Sequence, residues 1–574
     1  MKKKIIPVLL AIVLIVVIAA IAFGGKLLQR FTYSKEKADL NEYYGLETQD
    51  DIAIVLQNEI IPEKAKLIDG VCYFDLPTVV KYFTDRFYVN SQEQVLLYTT
   101  ATDVLKVNIG DASNVIYISE VGNSIDYKAA LYEGDVLYIA ADYVKRYVNM
   151  EYTLYDAPLR MQVYTSWETQ TQAKLMKNTQ IRYQGGIKSD ILEEVKAGDS
   201  VTILEEMENW TKVKSADAYI GYVENKYLTD RMQVEQMPVT DAMELNYNSL
   251  HKDGIVNMAF HQVFEEGANS NLSSVLGASK AVNVVAPTWF RLNDNAGGFT
   301  SIASASYVQQ AHAAGVDVWA VITDVDSKSV YDVDIDFEEL LSSSANRANL
   351  IANLMQQADT YGLDGINIDF EKVRDGAGAS FVQFLRELSI QTHKRGIVLS
   401  VDNYVPTEYT AHYNRKEQGM VVDYVIVMGY DEYYAGCGEA GPNASITYVE
   451  NGITRTKESV PAEKIINALP FYTRVWESTS EGPKASTLTM AQQATWVANS
   501  GTEPVWLDEY CQNYVEYQKD GNTIQCWLED VDSIRVKLQV MKAQGIGGVA
   551  EWKLGIEDKA VWDVIEQYVN GTLD

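Results

Sequence analysis

From Gly254 to the C-terminus, short apolar runs alternate with helical patterns, and this alternation restricts the possible fold more than any other feature of the chain. A strand pairs in parallel with the next one only after a crossover of a dozen or more residues, usually a helix. Repeating that unit builds a parallel sheet with helices outside it. Eight runs read as strands: Ile255 to Phe260, Val282 to Ala286, Asp317 to Ile322, Gly365 to Phe370, Ile397 to Val401, Tyr424 to Met428, Ile465 to Leu469 and Gly547 to Glu551. Ala345 to Tyr361 and Ser380 to Arg395 have amphipathic spacing, each with a glycine near its end. Eight βα units in about 320 residues predict an α/β fold, a (β/α)8 barrel, with functional side chains at the C-terminal ends of its strands.

The fourth run, Asp364-Gly365-Ile366-Asn367-Ile368-Asp369-Phe370-Glu371, carries the chemistry. Side chains alternate along a strand, so Asn367, Asp369 and Glu371 share one face and Ile366, Ile368 and Phe370 the other. In a barrel the apolar face packs on the helices, which aims two carboxyls and an amide inward. Burying two acids costs several kcal/mol unless hydrogen bonds or protonation compensate, which points to a use. A calcium loop needs glycine at its sixth position and few bulky apolar residues between ligands, and this run has neither. Glu371, last in the run and nearest the cleft, can hold a proton at neutral pH and act as a general acid.

This run resembles the DGxDxDxE strand of family 18 glycoside hydrolases, the chitinase-like enzymes. Met428-Gly429-Tyr430-Asp431, ending strand six, resembles the family's M-x-Y-D element, and Trp552, in Ala550-Glu551-Trp552-Lys553, matches the tryptophan that floors the sugar subsite. The similarity covers residues 254 to 570. It implies Glu371 as general acid, with the substrate's own acetamido oxygen as nucleophile and retention of anomeric configuration. It also implies that Asp369 stabilises the oxazolinium, Tyr430 holds the acetamido carbonyl, Asp431 and Met428 assist at the same subsite, and Trp552 stacks on the pyranose. No cofactor and no metal is implied.

One departure is Asn367, where the family has its middle aspartate; counted with the substrate-binding residues, it can hydrogen-bond Asp369 but cannot carry charge or share a proton. The substitution is familiar among bacterial relatives resembling spore cortex-lytic glucosaminidases, and Trp527-Leu528-Glu529-Asp530, Gly545-Ile546-Gly547-Gly548-Val549 and Leu554-Gly555 are similar to theirs. The implied substrate is an amino-sugar polysaccharide, peptidoglycan or a chitin-like glycan, cut at β-1,4 bonds after N-acetylglucosamine. Two rival readings are a silent lectin that binds amino sugars and a structural wall-tethering protein. Further rim candidates are His261, Trp289, Asn403, Tyr404, Tyr472, Arg474 and Trp476, whereas His251, His312, His393 and His412 read as surface or packing residues.

The chain divides by pattern into a cytoplasmic stub and transmembrane anchor (1–30), an α+β region (31–170), a small β-barrel (171–233), a linker (234–250) and the catalytic barrel (251–574). Lys2, Lys3 and Lys4 precede an apolar run from Ile5 to Phe23, about 28 Å of helix, which matches a bilayer's hydrocarbon core. The lysines keep that end cytoplasmic and place the remainder outside. The alternative is a signal peptide cleaved near Ala20-Ile21-Ala22, and both readings deliver the barrel out of the cytoplasm. In 31–170, Val71-Cys72-Tyr73 and Val79-Val80-Lys81-Tyr82 recur 65 residues later as Val136-Leu137-Tyr138 and Val144-Lys145-Arg146-Tyr147, two strand-then-helix units. This region resembles the domain named after the copper amine oxidase N-terminus, although it holds no histidine and implies no copper. Residues 174 to 232 suggest five short strands and resemble a bacterial SH3-type domain, a family associated with cell-wall peptides; Trp210 reads as core rather than as a ligand platform. The net charge of −31 speaks against nucleic acid. Four cysteines without a CxxC pair exclude a zinc site, and a two-residue turn at Asp520-Gly521 would place Val515, not Cys511, opposite Cys526.

Overall fold

The computed structural model describes residues 10–18, 30–238, 242–325 and 327–574. Much of the Ile5 to Phe23 run lies outside the described residues; residues 10–18 are helical, with exposed apolar side chains. Among the described residues no helix is long and apolar enough to cross a membrane. The chain forms two compact units, Met1–Phe87 with Val107–Glu244, and Tyr88–Lys106 with Leu245–Asp574. Tyr88–Lys106, inside the expected α+β region, thus belongs with the barrel.

In the first unit the 65-residue repeat is visible as structure. Val71–Asp75 feeds helix Leu76–Tyr82, whose N-terminus is capped by the Asp75 carboxylate accepting the Thr78 N–H at 2.7 Å. Val136–Ala140 likewise feeds Ala141–Lys145. The two strands pair antiparallel, with Phe74 opposite Ile139, its own counterpart in the repeat, so a local two-fold relates the copies. The SH3-like region has seven strands in one sheet rather than five, because Gln170–Leu175 and Leu228–Val234 pair with each other and close the sequence pattern at both ends. Its core is not its own: Val201, Val213 and Val223 pack in one cluster with Tyr44, Ala53 and Val55. The Tyr44 hydroxyl donates to the Ala218 carbonyl at 3.2 Å, tying the two regions together. Trp210 is half-buried, packed over Gly185.

The second unit is the expected barrel. Its strands are β1 (Val256–His261), β2 (Val284–Pro287), β3 (Asp317–Thr323), β4 (Gly365–Asp369), β5 (Val398–Tyr404), β6 (Tyr424–Met428), β7 (Ile465–Pro470) and β8 (Gly548–Trp552). Each pairs in parallel with the next, and β8 pairs with both β7 and β1, closing the ring. Alternation sorts the side chains into two cores. Ile366, Ile368, Phe370, Leu399, Val401, Val425 and Val427 face the helices, whereas Val256, Met258, Trp319, Val321, Tyr424, Ile426 and Ala550 fill the lumen. Helices Ser344–Tyr361 and Gly378–Arg395 stop at Gly362 and Gly396, both with φ of +68°, where a side chain would be strained.

Between β7 and β8 the chain inserts a five-stranded antiparallel sheet, ordered Gly482–Thr489, Tyr472–Thr479, Asn522–Trp527, Gln512–Lys519, Val505–Leu507. The turn at Asp520-Gly521 sets Val515 opposite Cys526, and all four cysteines are free.

Candidate active site

β4 and β5 run in register, Asn367 beside Ser400 and Ile368 beside Val401. Since Ile368, Leu399 and Val401 belong to the outer core, Asn367 and Asp369 on β4 and Ser400, Asp402 and Tyr404 on β5 face inward. Glu371 continues the β4 face one step past the strand's last residue. Three rungs result, and hydrogen bonds cross between the two strands. The Asn367 amide nitrogen donates to Ser400 Oγ at 3.0 Å and to Asp402 Oδ1 at 2.9 Å, and the Tyr404 hydroxyl donates to Glu371 Oε2 at 2.7 Å. Glu371 is also fixed through its backbone, whose N–H donates to Asp324 Oδ1 at 2.7 Å.

Above the rungs opens a cleft of about 650 Å³ lined by Asp369, Glu371, Asp402, Tyr404, Met428, Tyr430, Asp431, Tyr472 and Trp552, among others. Trp552 stands at its base beside Phe260, the ring centroids 5.4 Å apart. Gly429 lets β6 approach β7: a Cβ there would lie 2.8 Å from the Asn467 amide. Asp431 has φ of +58°, a conformation aspartate tolerates, and its Oδ1 accepts from the Tyr472 hydroxyl at 2.7 Å and from Arg474 Nη2 at 2.6 Å. The inserted sheet thereby locks the end of β6.

Burial dominates the electrostatics. It raises Glu371 above the ordinary carboxylate range; the Tyr404 hydroxyl opposes that rise, and the charges of Asp324 and Asp431 add to it. Asp369 is raised well above its usual value by burial and by the neighbouring charges of Glu371, Asp402 and Asp324. Asp402 is pushed up to about 8 by burial, with Glu371 adding and the Asn367 amide opposing. A cluster of this kind stores protons at neutral pH.

The structure brings Glu371, Asp369, Tyr430, Asp431, Met428, Trp552, Tyr404 and Tyr472 to one cleft, with Arg474 behind Asp431 and Asn367 beneath. Other expectations need correction. Asn367 is fully buried beneath the cleft rather than lining it, and its amide nitrogen donates to Ser400 and Asp402 rather than to Asp369. His261 points outward from β1, its Nδ1 2.9 Å from the Tyr307 hydroxyl. Trp289 is fully buried and donates to Asn269 Oδ1 at 2.8 Å, and Trp476 is fully buried and donates to the Gly441 carbonyl at 2.8 Å. Asn403 faces the helices, where its amide donates to Gln418 at 2.6 Å. The residue that sequence reasoning missed is Asp402. Reading strand five only to Val401 left it off the strand, although Ser400, Asp402 and Tyr404 already carry the period of two.

A closed barrel whose inward face ends in paired carboxyls above a tryptophan defines the layout of a glycoside hydrolase. Residues 218–557 match the model for Glycosyl hydrolases family 18, and the chain belongs to that family. Residues 177–229 match the Bacterial SH3 domain. The chain is 27% identical over 242 residues to the cortical fragment-lytic enzyme of Bacillus subtilis (strain 168), an alignment covering 40% of this chain and 56% of that protein. It is 26% identical over 237 residues to the enzyme of the same name from Bacillus anthracis, covering 39% and 54%. The chain spans about half the length of these curated relatives. Among solved structures, the spore cortex-lytic enzyme SleL of Bacillus cereus aligns with a TM-score of 0.49 at 19% identity, over 66% of this chain and 89% of that one.

Proposed function

We propose that this glycoside hydrolase cleaves β-1,4 bonds after N-acetylglucosamine in peptidoglycan or a related glycan, by substrate-assisted catalysis with retention. The observation that carries the reading is Glu371, held by Tyr404 at the mouth of the barrel with Asp369 one inward step below it and Trp552 at the base of the cleft. Glu371, with its proton retained by burial, donates to the glycosidic oxygen. The acetamido oxygen attacks the anomeric carbon, Asp369 accepts the acetamido N–H, and Tyr430 holds the acetamido carbonyl. Trp552 stacks on the sugar, while Asp431 and Met428 shape the same subsite. Glu371, now a carboxylate, takes a proton from the water that opens the oxazolinium. Likeness to cortical fragment-lytic enzymes favours peptidoglycan, as does the SH3 match if that module meets wall peptides. Residues 31–87 and 107–170 serve as a spacer, while Tyr88–Lys106 belongs with the barrel. The lysine cluster and apolar run at the N-terminus support a single-pass protein with its barrel outside the cell.

Mass spectrometry of muropeptides tests this, with the enzyme taken from washed membranes. Wild type is expected to release fragments with reducing-end N-acetylglucosamine, and Glu371→Gln none. Cleavage by both, or equal turnover of de-N-acetylated glycan, overturns the mechanism, and wall binding without any cleavage supports a lectin.

A further inference from the structure

The proton-sharing partner that β4 lacks at Asn367 stands on the neighbouring strand. Asp369 and Asp402 each follow directly on the last β4–β5 pair, Ile368 with Val401, and Asp402 is only 4% exposed and lines the same cleft. Its Oδ1 accepts from the Asn367 amide, whose own carbonyl oxygen is buried without a partner. That arrangement turns the asparagine into a support for the β5 carboxyl. Asp369 is left with the hydroxyl of Thr323, beside it on β3, as its side-chain donor.

We propose that Asp402 is a positioning residue for Asp369, sharing one proton with it so that the aspartate role absent from position 367 is filled from β5. The inference rests on the substrate-assisted reading above. Two buried carboxyls at one height do not both ionise, because like charges in a low-dielectric site repel strongly. The pair holds one proton and one negative charge. When the acetamido N–H approaches Asp369, the proton resides on Asp402 and the charge on Asp369, facing the oxazolinium. When the product leaves, the proton is again shared, and no proton is gained or lost from the pair over the cycle. Burial raises both carboxyls of the pair, so the resting pair keeps a proton, and the approaching acetamido N–H selects Asp369 for the charge. The other titratable groups facing the pair are Glu371 from β4, Asp324 after β3, Tyr404 from β5, and Tyr430 and Asp431 after β6.

The test compares wild type with Asp402→Asn, Asn367→Asp and the double variant Asn367→Asp/Asp402→Asn on a chromogenic N-acetylglucosamine oligomer. Asp402→Asn is expected to lower kcat about a hundredfold with KM nearly unchanged, and to displace the basic limb of the pH profile. The double variant, which moves the carboxyl back to β4, is expected to recover at least tenfold over Asp402→Asn. A residue serving structure alone gives no such rescue. Unchanged kcat and pH profile in Asp402→Asn, or no recovery in a folded double variant, overturns the proposal. If neither variant folds, infrared spectra of the wild type carrying 13C-labelled aspartate decide: a protonated-aspartate band that persists at neutral pH supports it, and the absence of one overturns it. Failure of the underlying reading shows separately, as a Glu371→Gln enzyme no weaker than wild type.

Discussion

Tyr404 and burial pull Glu371 in opposite directions. The hydroxyl at 2.7 Å favours the carboxylate, whereas burial and the nearby acids favour the neutral acid and win. Tyr404→Phe removes the donor and leaves the rest, so the Glu371 affinity for its proton rises further. In the proposed reaction the acid must be protonated to act, and the basic limb of kcat/KM reports it. That limb is therefore expected to move to higher pH, with kcat lower by about tenfold because the carboxyl loses its orienting partner. A limb left where it was would mean that Glu371 is not the group it reports. Glu371 was legible in the sequence although it lies beyond the last residue of β4, because face alternation carries past the end of the ladder. Asp402 and Tyr404 obey the same alternation on β5, but an apolar run interrupted by Asp402-Asn403 reads as a strand that has ended. Asn403 was misplaced for the same reason, since alternation along the longer β5 turns it toward the helices; Trp289 sits in a loop that carries no period, and Trp476 lies on a strand of the inserted sheet rather than on the rim.

Among the elements, the sheet inserted between β7 and β8 was the least legible. Its hairpin at Asp520-Gly521 is a local signal, but the pairing of Tyr472–Thr479 with Asn522–Trp527 joins segments far apart in the chain and leaves no short-range pattern. A buried ion pair anchors this insert where it returns to the barrel. Glu529 accepts from Lys537 at 2.5 Å and from the Gln512 amide at 2.7 Å, and both members of the ion pair are almost wholly buried. Burial holds Glu529 at about 7 even with the ammonium beside it. Lys537→Met keeps the volume and strands the carboxyl, which is expected to cost about 3–5 kcal/mol. The sign of the pH dependence follows from linkage. A carboxyl raised in the folded state favours folding below its unfolded value and loses that contribution as pH rises through the folded one. Without Lys537 the folded value climbs further, so the deficit in melting temperature is expected to be small in mild acid and largest above neutral pH. Equal deficits at both ends would show that Glu529 is not the stranded charge.

At the scale of the molecule, the chain builds part of its catalytic unit before it reaches the barrel. Tyr88–Lys106 belongs to that unit, and its contacts are polar and specific. The Tyr88 hydroxyl lies 3.0 Å from Ser380 Oγ, the Asn90 amide donates to the Ser342 carbonyl at 2.7 Å, and the Ser344 N–H donates to Glu93 at 2.7 Å. Gln383, fully buried on helix Gly378–Arg395, donates to Thr99 Oγ1 at 2.9 Å, and the Arg347 guanidinium sits 5.2 Å from the centre of the Tyr88 ring. No periodicity announces this, since the segment alternates like the strands around it and its partners lie some 250 residues downstream. A chain beginning at Leu245 keeps every barrel strand and every residue of the cleft, yet loses at least four hydrogen bonds worth about 0.5–1.5 kcal/mol each. Its barrel transition in calorimetry is expected several degrees below that of the full chain, with hydrolysis at low temperature retained because the cleft is intact. Joining Tyr88–Lys106 through a flexible linker to that shortened chain should recover most of the loss. If the shortened barrel melts with the full chain's, the early segment is carried by the barrel without supporting it.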